Sequence, residues 1–153
     1  ILMEMTGEHE IPAKRLEVWK ALNDPNVLKM SIPGCTELIV IDKHHLQATV
    51  AIKIGPVSAK FKGEVELSEI IEPESYRIYG EGKGGAAGFA KGGASVTLEE
   101  NKNGTILRYK VDAKIGGKLA QLGSRLIDST SKKLAGKFFD NFVKIFEKTE
   151  EKI

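Results

Sequence analysis

The 153-residue sequence lacks the features that mark several classes of protein. Cys35 is the sole cysteine, which excludes an intrachain disulfide and is typical of a reducing compartment. No stretch reaches the roughly 18 apolar residues of a membrane span, and no signal-peptide pattern opens the chain. Gln47 and Gln121 are the only glutamines among many Lys and Glu, which favours a thermophilic source. We therefore expect a soluble, cytoplasmic protein.

Net charge is also small, at +2 from 23 Lys and Arg against 21 Asp and Glu. A dedicated nucleic-acid-binding domain normally carries a strong basic excess, so we expect no nucleic-acid partner. Basic residues are nevertheless concentrated between Arg108 and Lys148, where ten Lys and Arg stand against four acids. Two interpretations stay open, a solvated helix face or a surface attracted to an acidic partner or an anionic membrane.

The sequence carries no recognisable cofactor or metal motif. Gly80–Gly85 matches GxGxxG, but strands flank it and no helix follows, so it does not indicate a dinucleotide site. A P-loop is absent, and the three histidines and Cys35 lack metal-ligand spacing. We expect no metal and no cofactor. The glycine-rich stretch to Gly93, with Phe89 inside it, is either a mobile lid at a cavity mouth or a kinked sheet corner.

What is present is a long run of strand signals. The length and the 41% hydrophobic content suit one domain, which we place at residues 3–149 with Met3 as the expected native start. A first strand, Met5–Ile11, ends at Pro12, and two short helices follow, the second opened by Asp24-Pro25. Short turns join six further strands into an antiparallel meander. These strands are predicted at Thr36–Ile41, His45–Ile54, Val57–Ile71, Ser75–Lys83, Phe89–Glu100 and Thr105–Ile115.

The C-terminal run Gly116–Lys148 predicts one long helix. Its first half carries an apolar stripe at three- and four-residue steps, and Phe138–Phe146 is apolar over an arc rotated by roughly 130° from that stripe. We therefore expect a bend or a change of exposed face between Ser129 and Gly136. Because the strands alternate between an apolar and a solvated face, this helix is the expected cover of the sheet in an α+β fold.

Small side chains face each other across the predicted sheet–helix interface. They imply either a very close approach or a cavity, and a curved sheet favours the cavity. Phe89 and Trp19 are placed near its mouth, and Tyr76 and Tyr109 are either hydrogen-bond donors to a ligand carbonyl or satisfied core residues. Gly123→Leu is expected to block ligand uptake and leave the fold intact. The predicted lining is Val50, Ile52, Phe61, Val65, Tyr76, Ile78, Phe89, Tyr109, Leu122, Gly123, Leu126, Thr130 and Leu134.

Three functional hypotheses fit these residues. A binding protein for an apolar molecule is favoured, since no pair of carboxylates converges inward and no catalytic residue is predicted. An enzyme that uses the same cavity, with His9 or a tyrosine as acid or base, is the second hypothesis. A pure interaction module with a filled core is the third. Because His9 is the one ionisable group expected to point inward, an enzyme is the less favoured of the first two.

Several motifs resemble one family. The motif residues are Ile32–Cys35, Gly55–Val57 with Phe61–Gly63, Gly80–Gly93, Gly116–Ala120 with Leu122–Ile127, and Phe138-Phe139. Over Glu8 to about Phe146 the chain is similar to the carbon monoxide dehydrogenase G-subunit family, within the START-like (SRPBCC, polyketide cyclase-like) superfamily. That resemblance implies a helix-grip fold, in which a curved seven-stranded antiparallel sheet wraps around a long C-terminal helix and two short helices follow the first strand.

The resemblance also carries functional expectations. Proteins of this family are accessories of molybdenum-containing dehydrogenases, with proposed roles in enzyme maturation, membrane attachment or contact with quinones. It implies a lipid- or quinone-like ligand between sheet and helix. It also implies a molybdenum dehydrogenase as partner. Peripheral contact with the inner face of the membrane is left open, and a polyketide cyclase- or hydrolase-like enzyme remains the alternative.

Overall fold

The computed structural model describes the backbone of residues 1–151 and the side chains through residue 147. Its strands are β1 (Leu2–Ile11), β2 (Cys35–Asp42), β3 (His45–Ile54), β4 (Val57–Ile71), β5 (Ser75–Lys83), β6 (Phe89–Asn101) and β7 (Gly104–Gly116). Its helices are α1 (Arg15–Leu22), α2 (Pro25–Ser31) and α3 (Ser124–Glu151), with short 3₁₀ turns at Gly85–Ala87 and Gly117–Leu122.

The seven strands form one antiparallel sheet in the order β1-β7-β6-β5-β4-β3-β2. The predicted meander is confirmed, and β1 closes it by pairing with β7. Asp24 caps α2 as expected, because its Oδ1 accepts a hydrogen bond of 2.9 Å from the Asn26 backbone N–H. The α+β helix-grip architecture, with two short helices after the first strand and a long C-terminal helix, is therefore confirmed.

Small side chains cross the middle of the sheet in register. Ala48 pairs with Gly63, Gly63 with Gly82, and Gly82 with Ala90, so four neighbouring strands present little bulk along one row. Gly7 has a separate role, because a Cβ at this position would fall inside the ring of its cross-strand partner Tyr109. Glycine there lets the tyrosine ring lie flat over β1.

The buried side chains form two clusters on either side of this row. The Phe142 cluster contains Ile11, Val18, Trp19, Leu22, Tyr76, Val96, Leu98, Leu107, Phe139 and Phe142. The Ile127 cluster contains Met3, Ile54, Phe61, Ala87, Ile115, Leu119 and Ile127. The C-terminal helix contributes to both clusters, through Phe139 and Phe142 at one end and through Ile127 at the other.

The C-terminal segment differs from the single helix predicted for Gly116–Lys148. A 3₁₀ turn spans Gly117–Leu122, the chain reverses at Gly123, and α3 begins at Ser124. Gly123 has φ 89° and ψ 155°, a backbone conformation that only glycine adopts without strain. Its carbonyl accepts the first α-helical hydrogen bond, from the Ile127 N–H at 3.2 Å. The break therefore falls at Gly123.

α3 runs through the segment between Ser129 and Gly136 as uninterrupted α-helix. Its buried residues Ile127 and Phe139 lie about 120° apart around the helix, at about 100° for each residue, so the buried face changes between them, in line with the expected change of exposed face. The phenylalanines pack on the end of the sheet and on the Trp19 helix.

Two glycines in this region give a matched stability test. A Cβ at Gly123 or at Gly136 meets no atom within 4 Å, but only Gly123 has a positive φ. Gly136→Ala is expected to raise the free energy of unfolding by about 1 kcal/mol through helix propensity. Gly123→Ala is expected to lower it by about 1–3 kcal/mol through backbone strain. Urea unfolding of both variants measures the two changes in the free energy of unfolding. Changes of the same sign would contradict the helix start assigned at Ser124.

Candidate ligand-binding cavity

An apolar cavity of about 730 Å³ lies between the inner face of the sheet, the two short helices and the middle of α3. Apolar side chains dominate its lining, and the polar ones gather at the loops of its mouth. The residues that line it are Met5, Trp19, Leu22, Asn23, Pro25, Leu28, Ile32, Leu38, Val40, Asp42, Lys43, His44, Leu46, Ala48, Val65, Leu67, Ile70, Glu72, Tyr76, Ile78, Ala94, Val96, Leu107, Tyr109, Val111, Ala135, Phe138 and Phe139.

Aromatic rings pack along the deep end of the cavity. Phe139 stacks on Tyr109 with ring centroids 5.5 Å apart and on His9 at 3.9 Å, and it meets Phe138 edge to face at 5.0 Å. Trp19 meets Tyr76 edge to face at 5.3 Å. Because each ring is held by at least one other ring, the wall is pre-formed.

Two tyrosines bring hydroxyl groups to this apolar wall. Tyr76 is 6% exposed, Tyr109 is half-buried, and neither hydroxyl has a hydrogen-bond partner among the side chains described. Burial raises the pKa of both phenols. Both are therefore neutral O–H groups at physiological pH, able to donate a hydrogen bond.

The mouth of the cavity lies between the β2–β3 turn and the start of α2. Asp42, Lys43 and His44 form one side of it and Asn23 with Pro25 the other. Asp42 organises the turn, since its Oδ1 accepts a hydrogen bond of 2.9 Å from the His44 N–H.

The same carboxylate lies 2.7 Å from His45 Nδ1. This hydrogen bond raises the pKa of His45, and the hydrogen bonds that Asp42 accepts lower the pKa of its carboxyl group. The turn is therefore held by a local charge-assisted contact.

Exposed apolar side chains surround part of the mouth. Val40 on β2 and Ile70 on β4 line the cavity and are also 51% and 40% exposed. Ile41 and Ile71, their neighbours in sequence, are 55% and 57% exposed. Apolar surface thus runs from the interior of the cavity to the outside of the protein.

The structure brings only part of the predicted lining to this cavity. Val65, Tyr76, Ile78 and Tyr109 line it, as does Trp19, which we expected near the mouth. On α3 the lining side chains are Ala135, Phe138 and Phe139, which directly follow Leu134, the last residue of the predicted lining.

The other predicted residues lie elsewhere. Ile52, Phe61, Leu122 and Leu126 pack in or against the Ile127 cluster, at the opposite side of the small-residue row. Phe89 lies over Gly116 and borders a shallow surface depression, together with Lys83 and Lys91. Val50, Thr130 and Leu134 are half-buried and do not line the cavity, and Gly123 forms the junction that precedes α3.

Sequence reasoning missed the contribution of the short helices and of β2. Leu22, Leu28 and Ile32 line the cavity from the helical side, and Leu38 and Val40 line it from the edge strand. The apolar residues of α2 were a usable signal, because a helix of seven residues between two turns has to bury them against something. The place where α2 packs is set by tertiary contacts that the sequence pattern does not contain.

Apart from the two tyrosines, the ionisable side chains of the lining are all exposed, namely Asp42, Lys43, His44 and Glu72. His9 is absent from the lining and stacks on Phe139 instead, and burial lowers its pKa while Asp140 opposes the shift. In the described part of the chain, no three His, Cys, Asp or Glu side chains are grouped so that they could hold a metal ion. No helix within the described residues is long and apolar enough to cross a membrane.

A seven-stranded sheet that grips a long helix over an apolar cavity defines a START-like (SRPBCC) protein. The family model for the G subunit of carbon monoxide dehydrogenase (CoxG) matches residues 7–145. The chain therefore belongs to the CoxG family. None of the curated proteins matches it.

Solved structures agree with this assignment. A conserved protein from Geobacillus kaustophilus is 31% identical over 96% of this chain and 97% of its own, with a TM-score of 0.90. An uncharacterised protein from Rhizobium leguminosarum is 16% identical over 97% and 96%, with a TM-score of 0.74. A protein from Chromobacterium violaceum is 12% identical over 92% and 94%, with a TM-score of 0.68. The last two are similar in fold.

Proposed function

We propose that the protein is a non-enzymatic accessory that holds a lipid- or quinone-like molecule in the cavity under α3. The observation that carries this proposal is the cavity itself, about 730 Å³ in volume and lined mainly by aliphatic and aromatic side chains. Pockets that bind small molecules span about 300–1,000 Å³ and share this composition.

Water alone fills such a space poorly. At roughly 30 Å³ each, about 24 water molecules would occupy the volume, and each needs two to four polar partners. The deep wall offers the hydroxyls of Tyr76 and Tyr109 and otherwise apolar surface. An apolar guest would remove this surface from water, at about 25 cal/mol for each Å² of apolar surface buried.

The alternative, a polyketide cyclase- or hydrolase-like enzyme, has less support. His9 is not part of the lining, and the pKa of each lining tyrosine is raised by burial, which disfavours the phenolate that a general base requires. Lys43 and His44 lie at the mouth and are exposed to solvent, which does not suit a general acid or base that has to act inside the cavity. These features favour binding over catalysis.

Family membership and the surface suggest where the ligand comes from. The name of the family supports an association with a molybdenum carbon monoxide dehydrogenase. The exposed apolar rim formed by Val40, Ile41, Ile70 and Ile71 supports transient contact with a membrane surface. A water-insoluble ligand would then pass between bilayer and cavity without crossing water.

Organic extraction of the purified protein followed by mass spectrometry tests the proposal. We expect one dominant apolar species, in an amount close to one molecule for each chain. The same extraction from a similarly expressed protein without a cavity controls for carry-over of cell lipid. Recovery of no enriched species, together with failure of the emptied protein to take up any added lipid or quinone, would contradict the proposal.

A further inference from the structure

The Tyr76 hydroxyl is a buried donor without a partner. The residue is 6% exposed, it lines the cavity, and no hydrogen bond to its hydroxyl exists among the described residues. Buried polar groups are normally paired, because an unpaired one loses its hydrogen bonds to water and gains nothing in exchange. Within the described residues no protein group pairs with this hydroxyl, so it is left for an occupant of the cavity.

Other buried hydroxyl groups differ from that of Tyr76 in their hydrogen-bond partner or in their enclosure by protein atoms. Thr105 Oγ1 donates a hydrogen bond of 2.8 Å to the Ala13 carbonyl, and so it is satisfied within the fold. Ser31 Oγ is unpaired and fully enclosed by protein atoms. The Tyr76 hydroxyl is not among the fully enclosed unpaired atoms, and Tyr76 lines the cavity. Contents of the cavity can therefore reach it.

The ring that carries this hydroxyl is fixed in place. Trp19 contacts it edge to face at 5.3 Å, and the Tyr76 side chain belongs to the Phe142 cluster. The direction of the O–H group is therefore set before a ligand arrives, which reduces the entropy lost on binding. A phenol is also a better donor than acceptor, because its oxygen lone pair is delocalised into the ring.

We infer that the ligand carries a carbonyl oxygen on its apolar body and that this oxygen accepts a hydrogen bond from Tyr76. This inference rests on the proposed function and narrows it, since plain hydrocarbons and ligands with a polar group only at the solvent end are excluded. Tyr109 lies in the same cross-strand row, paired through Val96, two strands away at about 10 Å. It is a second donor for a ligand that bears two carbonyl groups.

Two probes of the same shape test the inference. 2-Methyl-1,4-naphthoquinone carries two carbonyl groups, and 2-methylnaphthalene carries none. Equilibrium dialysis measures the dissociation constant of each with the wild-type protein and with Tyr76→Phe. We expect Tyr76→Phe to weaken binding of the quinone roughly three- to tenfold and to leave the hydrocarbon unchanged.

Tyr79→Phe is the matched control. Tyr79 lies on the same strand, faces outward and is 47% exposed, so its replacement is expected to change neither affinity. If both probes bind the wild type and Tyr76→Phe weakens neither or weakens both equally, the inference is wrong while the proposed function stands. If neither probe nor any extracted lipid binds the wild type, the proposed function itself fails.

Discussion

Replacing Ala135 by phenylalanine is expected to abolish binding of an apolar ligand while the protein remains folded. Ala135 lies on the inward face of α3 and lines the cavity beside Phe138 and Phe139. A phenyl group at this position projects into the open space, where it displaces a ligand and buries its own apolar surface. Phenylalanine lowers helix propensity by only a few tenths of a kcal/mol relative to alanine.

Dialysis with 2-methyl-1,4-naphthoquinone measures the effect, and we expect at least a tenfold rise in the dissociation constant. Ala51→Phe is the matched control, because Ala51 is exposed on the outer face of β3 and receives the same change. The Ala51→Phe variant should bind the quinone with the affinity of the wild type. Unchanged affinity in a folded Ala135→Phe variant would place the ligand outside this cavity.

This test replaces the one that the sequence suggested at Gly123. The sequence-based expectation was that Gly123→Leu fills the cavity and leaves the fold intact. Because Gly123 has φ 89° and lies at the start of α3, a side chain there strains the backbone and adds no bulk to the cavity. A positive φ leaves no mark in hydrophobic periodicity, so the pattern did not reveal it.

The strands were predictable because two independent signals agreed. The alternation of apolar and polar residues identified the inward faces of the strands, and turn residues identified their ends. The predicted bounds of β3, β4 and β5 therefore match those observed.

The start of the long helix was harder to predict. Leu119 and Leu122 belong to a 3₁₀ turn that precedes α3, so counting them at about 100° for each residue assigned them to a helical stripe that they do not share.

The position of the cavity depended on packing that the sequence does not encode locally. Small residues at Ala48 and Ala94 line it. The glycine row at Gly63 and Gly82 marks the border between the two clusters. On the side of the Ile127 cluster, the buried ring of Phe61 occupies part of the space between sheet and helix. Side-chain size alone did not distinguish the two sides.

The second half of α3 contributes both to the buried core and to the wall of the cavity. Phe142 is 0% exposed and contacts Phe138 and Phe146, with ring centroids 5.8 and 5.2 Å away. Phe138 in turn lines the cavity. Phe142 also belongs to the buried cluster that contains Ile11 of β1 and Val18 of α1, so its packing fixes α3 against the sheet and the first short helix.

Phe142→Ala is accordingly expected to lower the free energy of unfolding by about 3–5 kcal/mol, the range for removing a fully buried phenylalanine. Against a typical total of about 5–15 kcal/mol, this loss leaves a marginal fold. Urea unfolding followed by Trp19 fluorescence measures it, because Trp19 belongs to the same cluster. Phe146→Ala is the control, since Phe146 is half-buried and its removal should cost clearly less. Equal losses at the two positions would show that Phe142 is not the anchor of the helix.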